Sequence, residues 1–269
     1  MTVMVERALW GALVAAIVTT IARRYGALSE SGQWAAFACG IATTAADWAW
    51  AALLLAYFGA AVGVTALGAK TKARRTIGTL PQIAARDASQ VLANGGVFAT
   101  LALAAGPRPL SAAGVAAIGA LAAASADTWA TEIGTLWGGT PRSILTGAPL
   151  DTGLSGGVTL VGTGAAAVGG VIVVLAAVAL HDLHDAGRLV LVVGAAALVG
   201  ALVDSAIGAS VQARRWCERC AQWTERRVHP YGYRTVHARG FRWVTNDAVN
   251  VAGTLVGAAC AVVLNRLTG

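Results

Sequence analysis

The sequence contains few charged side chains. Asp, Glu, Lys and Arg make up 12% of its 269 residues, whereas a typical soluble domain has about 25%. Hydrophobic residues reach 57% and the mean hydropathy is +0.65. This composition excludes an ordinary soluble domain, and several windows reach the roughly 20 apolar residues that a membrane-spanning helix needs. The sequence therefore predicts an all-α, polytopic membrane protein in which residues 1–269 form a single integral membrane domain.

Other features are also missing. No Gly-Lys-Ser/Thr motif follows a glycine-rich loop, which excludes a Walker-type nucleotide site. No internal repeat is obvious, and the first apolar run, residues 8–22, has no processing site, so we expect a retained helix. The chain has only four cysteines. Two of them, Cys217 and Cys220, lie in a polar loop, where disulfides are not expected if that loop is cytosolic.

The apolar runs predict eight transmembrane helices, or seven if residues 33–67 form one long span rather than a hairpin. The expected bounds are 7–22, 33–46, 48–67, 87–105, 111–131, 157–180, 189–211 and 246–265. With the hairpin, sixteen Lys and Arg residues fall on one side of the membrane and four on the other. This asymmetry predicts that the first side is cytoplasmic and that both termini lie outside the cell membrane. The net charge of +7 is explained by the same rule, so nucleic acid is not an expected partner.

Four polar clusters lie at the ends of apolar runs or inside them, where unpaired polar groups are costly. They are Arg86 with Gln90 and Asn94, Asp127 with Thr128 and Glu132, Asp204 with Gln212, and Asn246 with Asp247 and Asn250. Most members are spaced by four residues, which places them on one helical face. The threading puts all four clusters at cytoplasmic helix ends. We therefore predict one shared polar site, although any single residue could instead form a hydrogen bond between helices.

A segment rich in glycine and hydroxyl groups precedes the sixth predicted helix. It contains Gly153, Ser155, Gly156, Gly157 and Thr159. Backbone N–H groups at a helix start attract anions, although such glycines can also serve packing or capping. Carboxylates, amides and this segment together indicate a magnesium–phosphate site, because Mg²⁺ prefers oxygen ligands and substrate phosphates.

A second candidate metal site lies in the loop between residues 212 and 245. Cys217 and Cys220 are followed by His229 and His237, and these residue types bind zinc when four ligands converge. A solvated basic loop is the alternative interpretation.

The polar motifs resemble a known family. They are Arg86-x3-Gln90-x3-Asn94-Gly95, Asp127-Thr128-Trp129-Ala130-x-Glu132-x-Gly134, Gly153 to Gly157, Asp204-x7-Gln212 and Asn246-Asp247-x2-Asn250. In this order they resemble the integral-membrane domain-of-unknown-function family 92, which includes the phytyl-phosphate kinase of tocopherol synthesis. The resemblance implies a membrane-bound kinase that converts an isoprenoid monophosphate into the diphosphate with CTP as donor. It also implies a lipid-phosphate substrate whose tail stays in the lipid between helices.

The residue assignments follow from the clusters and the resemblance together. The hypothesis assigns Mg²⁺ to Asp127, Glu132, Asp204 and Asp247, and catalysis to Asp127, Glu132, Asp204 and Arg86. It assigns phosphate and nucleotide oxygens to Lys70, Gln90, Asn94, Thr128, Arg142, Gln212, Asn246 and Asn250, and to the segment of Gly153, Ser155, Gly156, Gly157 and Thr159. The alternatives are a related CTP-dependent lipid enzyme, such as an isoprenoid-alcohol kinase or a cytidylyltransferase, a membrane transporter, or a structural membrane subunit.

Overall fold

The computed structural model describes residues 2–79, 85–184 and 186–268, and its long elements are helices. Within these residues seven helices are long and apolar enough to cross a membrane, which confirms the predicted polytopic all-α class. They are α1 (Thr2–Arg24), α3 (Trp48–Ala66), α5 (Ala88–Ala105), α6 (Ala112–Trp137), α7 (Leu160–Leu180), α8 (Ala186–Ser210) and α9 (Asn246–Thr268). Two shorter helices are α2 (Glu30–Ala46) and α4 (Ala69–Arg75).

Helices α2 and α3 form the predicted hairpin rather than one long span. Asp47 alone separates them in an extended conformation, and its carboxylate accepts a hydrogen bond from the Ala49 N–H at 3.1 Å. This cap satisfies a backbone donor that the helix start leaves free. Arg7 of α1 pairs with the Asp47 carboxylate at 2.9 Å. Helix α2 has 17 residues, the lower limit for a span.

Helix α6 lies at the centre of the bundle and packs against α3, α5, α7, α8 and α9. Residues 114–126 of α6 are buried along the whole run, and most are alanine or glycine. A Cβ atom at Gly119 would lie 2.7 Å from the Gly257 carbonyl oxygen of α9. Small residues therefore allow the close helix approach that stabilises membrane bundles.

The helix ends meet in two groups. At one end, the buried Trp50 indole at the start of α3 donates to the Gly106 carbonyl after α5 at 2.8 Å and contacts the His181 ring after α7. At the other end, the starts of α5 and α9 meet the ends of α6 and α8. Successive helices therefore run in opposite directions, which agrees with the predicted threading through the membrane. The cytoplasmic assignment of the second end rests on charge and remains a prediction.

The two loops at the second end are folded. Strand β1 (Arg142–Ser143) pairs with β2 (Gly157–Val158), and β3 (Arg214–Cys217), β4 (Gln222–Thr224) and β5 (Val236–Arg239) form a three-stranded sheet in the order β4-β3-β5. Thr79 joins them, because its hydroxyl donates to the Thr152 carbonyl at 2.7 Å and its own carbonyl accepts from Glu225 N–H at 3.2 Å. The loop from residue 211 to 245 is therefore an ordered cover over this end of the bundle.

Candidate functional site

A polar cavity of about 910 Å³ lies between the second group of helix ends and the folded loops. Side chains from all four polar clusters line it. They are Arg86, Gln90, Asn94, Asp127, Thr128, Glu132, Asp204, Gln212, Asn246, Asp247 and Asn250, joined by Gly153, Ser155, Gly156, Gly157 and Thr159 of the glycine-rich segment. The structure thus brings together sixteen predicted residues that are far apart in the sequence.

Two predicted phosphate-binding residues, Lys70 and Arg142, do not line the cavity. Lys70 is exposed on α4, and its neighbour Lys72, two residues along, is turned inward instead. Arg142 is exposed in β1 and donates to the Gly147 carbonyl of its own loop at 2.9 Å. The structure therefore brings neither cation into the cavity, because helix phase and a local turn direct them away from it.

Asp127 and Asp204 place carboxylates on two different helices inside the cavity. A third carboxylate, that of Glu225 in the loop from residue 211 to 245, lines the same cavity. The Oδ2 atom of Asp204 is buried and accepts no hydrogen bond within the described residues. Gly253 of α9 faces this carboxylate, since a Cβ there would lie 3.4 Å from Oδ2. An unpaired buried oxygen beside other carboxylates is costly unless a cation compensates it. This oxygen-rich set therefore fits Mg²⁺.

Glu132 has a different environment from the one predicted. Its Oε2 pairs with the buried Lys72 ammonium group, and its Oε1 accepts from the Thr65 hydroxyl at 2.9 Å. Both oxygens are therefore engaged by protein groups, which leaves Asp127 and Asp204 as the better placed candidates for the cation. Asp247 lines the cavity while its Oδ2 accepts from the Ser89 hydroxyl at 2.7 Å.

Arg86, two residues before the start of α5, and Gln90 and Asn94 of α5 line the cavity wall. The Arg86 guanidinium donates to the Ala61 carbonyl and the Thr65 hydroxyl, each at 3.3 Å. Gln90 accepts from the Asp87 N–H at 3.2 Å in a capping box, and Asn94 donates to the Gln90 carbonyl at 3.1 Å. The two amides therefore also stabilise the helix start and its π-helical turn, residues 92–96.

The glycine-rich segment does not form the predicted helix start. Helix α7 begins at Leu160, three residues later than expected, because the Thr159 hydroxyl accepts from Gly162 N–H at 2.9 Å and caps it there. The Ser155 N–H donates to Glu225 at 2.9 Å, and the Gly157 N–H donates to the Leu154 carbonyl at 3.3 Å. Two of the backbone amides assigned to a phosphate are thus bonded within the protein.

The prediction missed four charged cavity residues, all in the loop from residue 211 to 245. They are Arg215, Glu225, Arg227 and Arg242. Burial raises the pKa of the Glu225 carboxyl, which the hydrogen bond from Ser155 and the charge of Arg214 partly oppose. The sequence feature that could have identified Glu225 was its acidic side chain in a loop with eight arginines.

The candidate zinc ligands separate into two places. The ligand atoms of Cys217, Cys220 and His229 all lie within 4.8 Å of one another, with Cys220 Sγ 3.3 Å from His229 Nδ1. His237 does not join them. It is opposite Arg215 in the pairing of β5 with β3, and it lines the polar cavity instead.

A family model now connects this architecture to known proteins. The model described as "Integral membrane protein DUF92" matches residues 13–258. The chain belongs to the DUF92 family. It is 28% identical to "Protein PGR" of Arabidopsis thaliana over 234 residues, which cover 78% of this chain and 81% of that protein. No solved structure matches the chain. Family membership confirms the resemblance that the polar motifs indicated and the location in a membrane.

Proposed function

We propose that this DUF92 protein is a membrane-embedded, Mg²⁺-dependent prenyl-phosphate kinase. It transfers a phosphoryl group from a nucleoside triphosphate, CTP in this proposal, to an isoprenoid monophosphate of the phytyl or geranylgeranyl type. One observation carries the proposal. The Asp204 carboxylate, whose Oδ2 atom is buried without a partner among the described residues, lies with Asp127 inside a cavity whose cover contributes arginines.

The proposal assigns the cation and the phosphates to different side chains of the cavity wall. Asp127, Asp204 and Asp247 would hold Mg²⁺, directly or through water. When bound, Mg²⁺ neutralises phosphate charge and helps to orient the reacting groups. Arg86 lies just before α5, while the three cover arginines belong to the loop from residue 211 to 245. Guanidinium groups bind phosphate oxygens through charge-assisted hydrogen bonds, so these side chains would hold the two substrates.

The chemistry requires little beyond positioning and charge neutralisation. An oxygen of the isoprenoid monophosphate attacks the terminal phosphorus of the nucleotide. The bond from that phosphorus to its bridging oxygen breaks, and the nucleoside diphosphate leaves. The acceptor is already an oxyanion, so no strong general base is needed. The ion pair between Glu132 and Lys72 is compatible with this mechanism, because the reaction does not need Glu132 as a free base.

A membrane transporter would use a polar path to both ends of the bundle. The polar lining instead gathers at one end, whereas the other end contains Trp50, fully buried and bonded to Gly106. This one-sided arrangement supports chemistry at the interface over transport.

The test is a transfer assay on the purified chain in nanodiscs. Mg²⁺ and CTP or ATP labelled in the terminal phosphate are supplied with geranylgeranyl or phytyl monophosphate. We expect labelled diphosphate. Asp127→Asn and Asp204→Asn should each lower the rate about 10²–10³-fold, the usual effect of removing one electrostatic stabiliser.

Lys70→Ala and Arg142→Ala are matched controls, since both positions were candidates in the sequence yet lie outside the cavity. Both should retain the wild-type rate. Absence of label transfer from either nucleotide to either monophosphate would overturn the proposal. Formation of labelled monophosphate when geranylgeraniol replaces the monophosphate would indicate an alcohol kinase, and release of labelled pyrophosphate with transfer of CMP to the monophosphate would indicate a cytidylyltransferase.

A further inference from the structure

A second cavity of about 410 Å³ lies among α1, α2, α3 and α5 and has an almost wholly apolar lining. Val14, Val18, Leu54, Leu55 and Phe58 are part of its wall. We call this cavity the apolar groove. Four residues line both the groove and the polar cavity, namely Arg86, Gln90, Asn94 and Thr128. The two spaces are therefore adjacent and share one polar wall.

We infer that the apolar groove binds the hydrocarbon tail of a lipid whose phosphate group occupies the polar cavity. This inference rests on the proposed function, because the lipid is the isoprenoid monophosphate proposed above. It also alters the earlier expectation that the tail stays in bulk lipid between helices. The tail would instead lie within the protein, where the number of contacts with side chains depends on the length of the tail.

Two hydroxyl groups on the α2 side of the groove already donate within the protein, which argues for a hydrocarbon occupant. Thr43 donates to the Cys39 carbonyl at 2.9 Å and Thr44 donates to the Gly40 carbonyl at 2.8 Å, both within α2. These groups offer no donor to a polar ligand. Burial of an apolar chain against such a surface is favourable in proportion to the area removed from water.

The shared wall is suited to a phosphate head joined to a tail. Arg86 brings a cation to the boundary, and its guanidinium lies 5.7 Å from the centroid of the Phe58 ring. Phe58 lines the groove alone, whereas Arg86 lines both spaces. A long side chain can place its apolar stem along such a surface and its charge at the polar side. An amphiphile with one anionic end matches this sequence of surfaces.

The groove extends along α3 away from the polar end. Its lining on that helix runs from Phe58 back to Trp48. Ten residues of helix rise about 15 Å. A short prenyl chain would leave part of this length unfilled, while a long chain would contact it throughout. The structure therefore assigns a preference for long tails to the groove.

Gly95 and Gly96 supply a matched pair for testing the groove. Gly95 lines it, and a Cβ there would have as its neighbour only Leu54 Cδ1, at 3.7 Å. Gly96, next to it in the same π-helical turn, is outside the described lining, and its Cβ would contact Leu92 at 3.5 Å. A leucine at position 95 should narrow the groove, while a leucine at position 96 should not.

The reactivity of Cys39 provides a readout that does not depend on turnover. Cys39 lines the groove, whereas Cys260 of α9 does not. The full chain in nanodiscs is alkylated with N-ethylmaleimide, and each cysteine is followed by peptide mass spectrometry. Geranylgeranyl monophosphate at ten times its Kd should slow alkylation of Cys39 about tenfold by mass action. Cys260 should be unaffected, and inorganic phosphate or dimethylallyl monophosphate should protect Cys39 weakly.

The variants give the second measurement. Gly95→Leu should reduce the protection of Cys39 and shift the preference toward shorter tails, and Gly96→Leu should behave as wild type. Unchanged Cys39 reactivity in the wild-type protein with saturating geranylgeranyl monophosphate would overturn the groove assignment even if phosphoryl transfer occurs. Equal protection by geranylgeraniol would also overturn it, because the link to the phosphate would be absent.

Protection of Cys39 without any phosphoryl transfer would support the groove and reject the kinase. The wild-type measurement stands by itself, so the inference remains testable if Gly95→Leu does not fold.

Discussion

The ammonium group of Lys72 pairs with the carboxylate of Glu132, which lines the polar cavity, and this ion pair joins α4 to α6. The Lys72 side chain is only 5% exposed. It also donates to the carbonyls of Val64 and Thr65, at 3.0 and 2.8 Å, near the end of α3. The Lys72 ammonium group therefore donates to two free carbonyls in the last turn of α3 and also neutralises the carboxylate of Glu132 in α6.

Removing the carboxylate should destabilise the protein. Glu132→Gln leaves the Lys72 charge buried without its counter-ion, which typically costs about 3 kcal/mol or more. We expect a clearly lower Tm in detergent, while the double variant Lys72→Met with Glu132→Leu recovers part of the loss. Lys70→Ala on the same short helix is the control and should unfold like wild type. A Glu132→Gln protein with the wild-type Tm would show that the ion pair is not structural.

Mg²⁺ should stabilise the wild-type protein without any nucleotide. A ligand at 100 times its Kd adds about 2.7 kcal/mol to the stability of the state that binds it. Asp204→Asn should abolish this gain, and without Mg²⁺ it should be at least as stable as wild type, because an unpaired buried charge is removed. Thermal unfolding with and without Mg²⁺ measures both effects. Glu30→Gln, an exposed acid paired with Arg23, should keep the full Mg²⁺ shift, and an equal shift in Asp204→Asn would argue against this cation site.

The stability of the cover should depend on pH through Glu225. Burial raises the pKa of this carboxyl above its ordinary value, so the folded state favours the protonated form. This contribution to stability is complete below the unfolded pKa of about 4.3 and is lost as the pH rises through the raised folded pKa. Glu225→Gln cannot ionise, and it should therefore gain stability relative to wild type as the pH increases. Thermal unfolding of both proteins at several pH values, without divalent cations, measures the difference in stability. A difference that does not change with pH would contradict the prediction.

The loop cysteines should bind a thiophilic metal. We expect Zn²⁺ at Cys217, Cys220 and His229, whose ligand atoms converge, and Co²⁺ substitution should produce the absorption bands of cobalt–thiolate coordination. His229→Ala should lose the metal, as measured by elemental analysis. His237→Ala should retain it, because His237 lies at the polar cavity. Loss of metal in both variants would show that the described ligand set is incomplete.

Gly156 should be less tolerant of substitution than another glycine with a similar backbone. Gly156 has φ +82°, and a Cβ there would lie 2.5 Å from the Ala209 backbone of α8. Gly139 has φ +72° with nothing within 4 Å of its Cβ position. Gly139→Ala should cost about 1–2 kcal/mol for the left-handed conformation alone, and Gly156→Ala should cost more because the backbones must also separate. Equal Tm values would show that α8 adjusts freely.

Much of the fold and part of the site were predictable from the sequence. Apolar length located the seven helices that are long and apolar enough to cross a membrane, and polar residues inside those runs identified the helix ends that meet at the cavity. Three predicted residues lie away from the groups they were assigned to, for one shared reason. Lys70, Arg142 and His237 were assigned by residue type and proximity in the sequence, whereas their orientations depend on helix phase, a local turn and strand pairing.

The predicted start of α7 differed from the observed one for a related reason. Glycine and hydroxyl content indicated a helix start near residue 157, but the Thr159 hydroxyl sets the boundary at Leu160. Glu225 lies 70 positions from Ser155 and accepts its N–H. No local pattern contains such a partner, so the use of these amides could not be predicted.

The sequence by itself determined the membrane class, the positions of the spans and the family, because hydropathy and motif spacing act over short stretches of chain. Tertiary structure decided which polar groups are available. Glu132 and Asp204 are both carboxylates near helix ends, yet Lys72 neutralises the first, while the second retains a buried oxygen without a described partner. That difference arises from packing between distant segments, since the cost of a buried charge depends on what the fold places beside it.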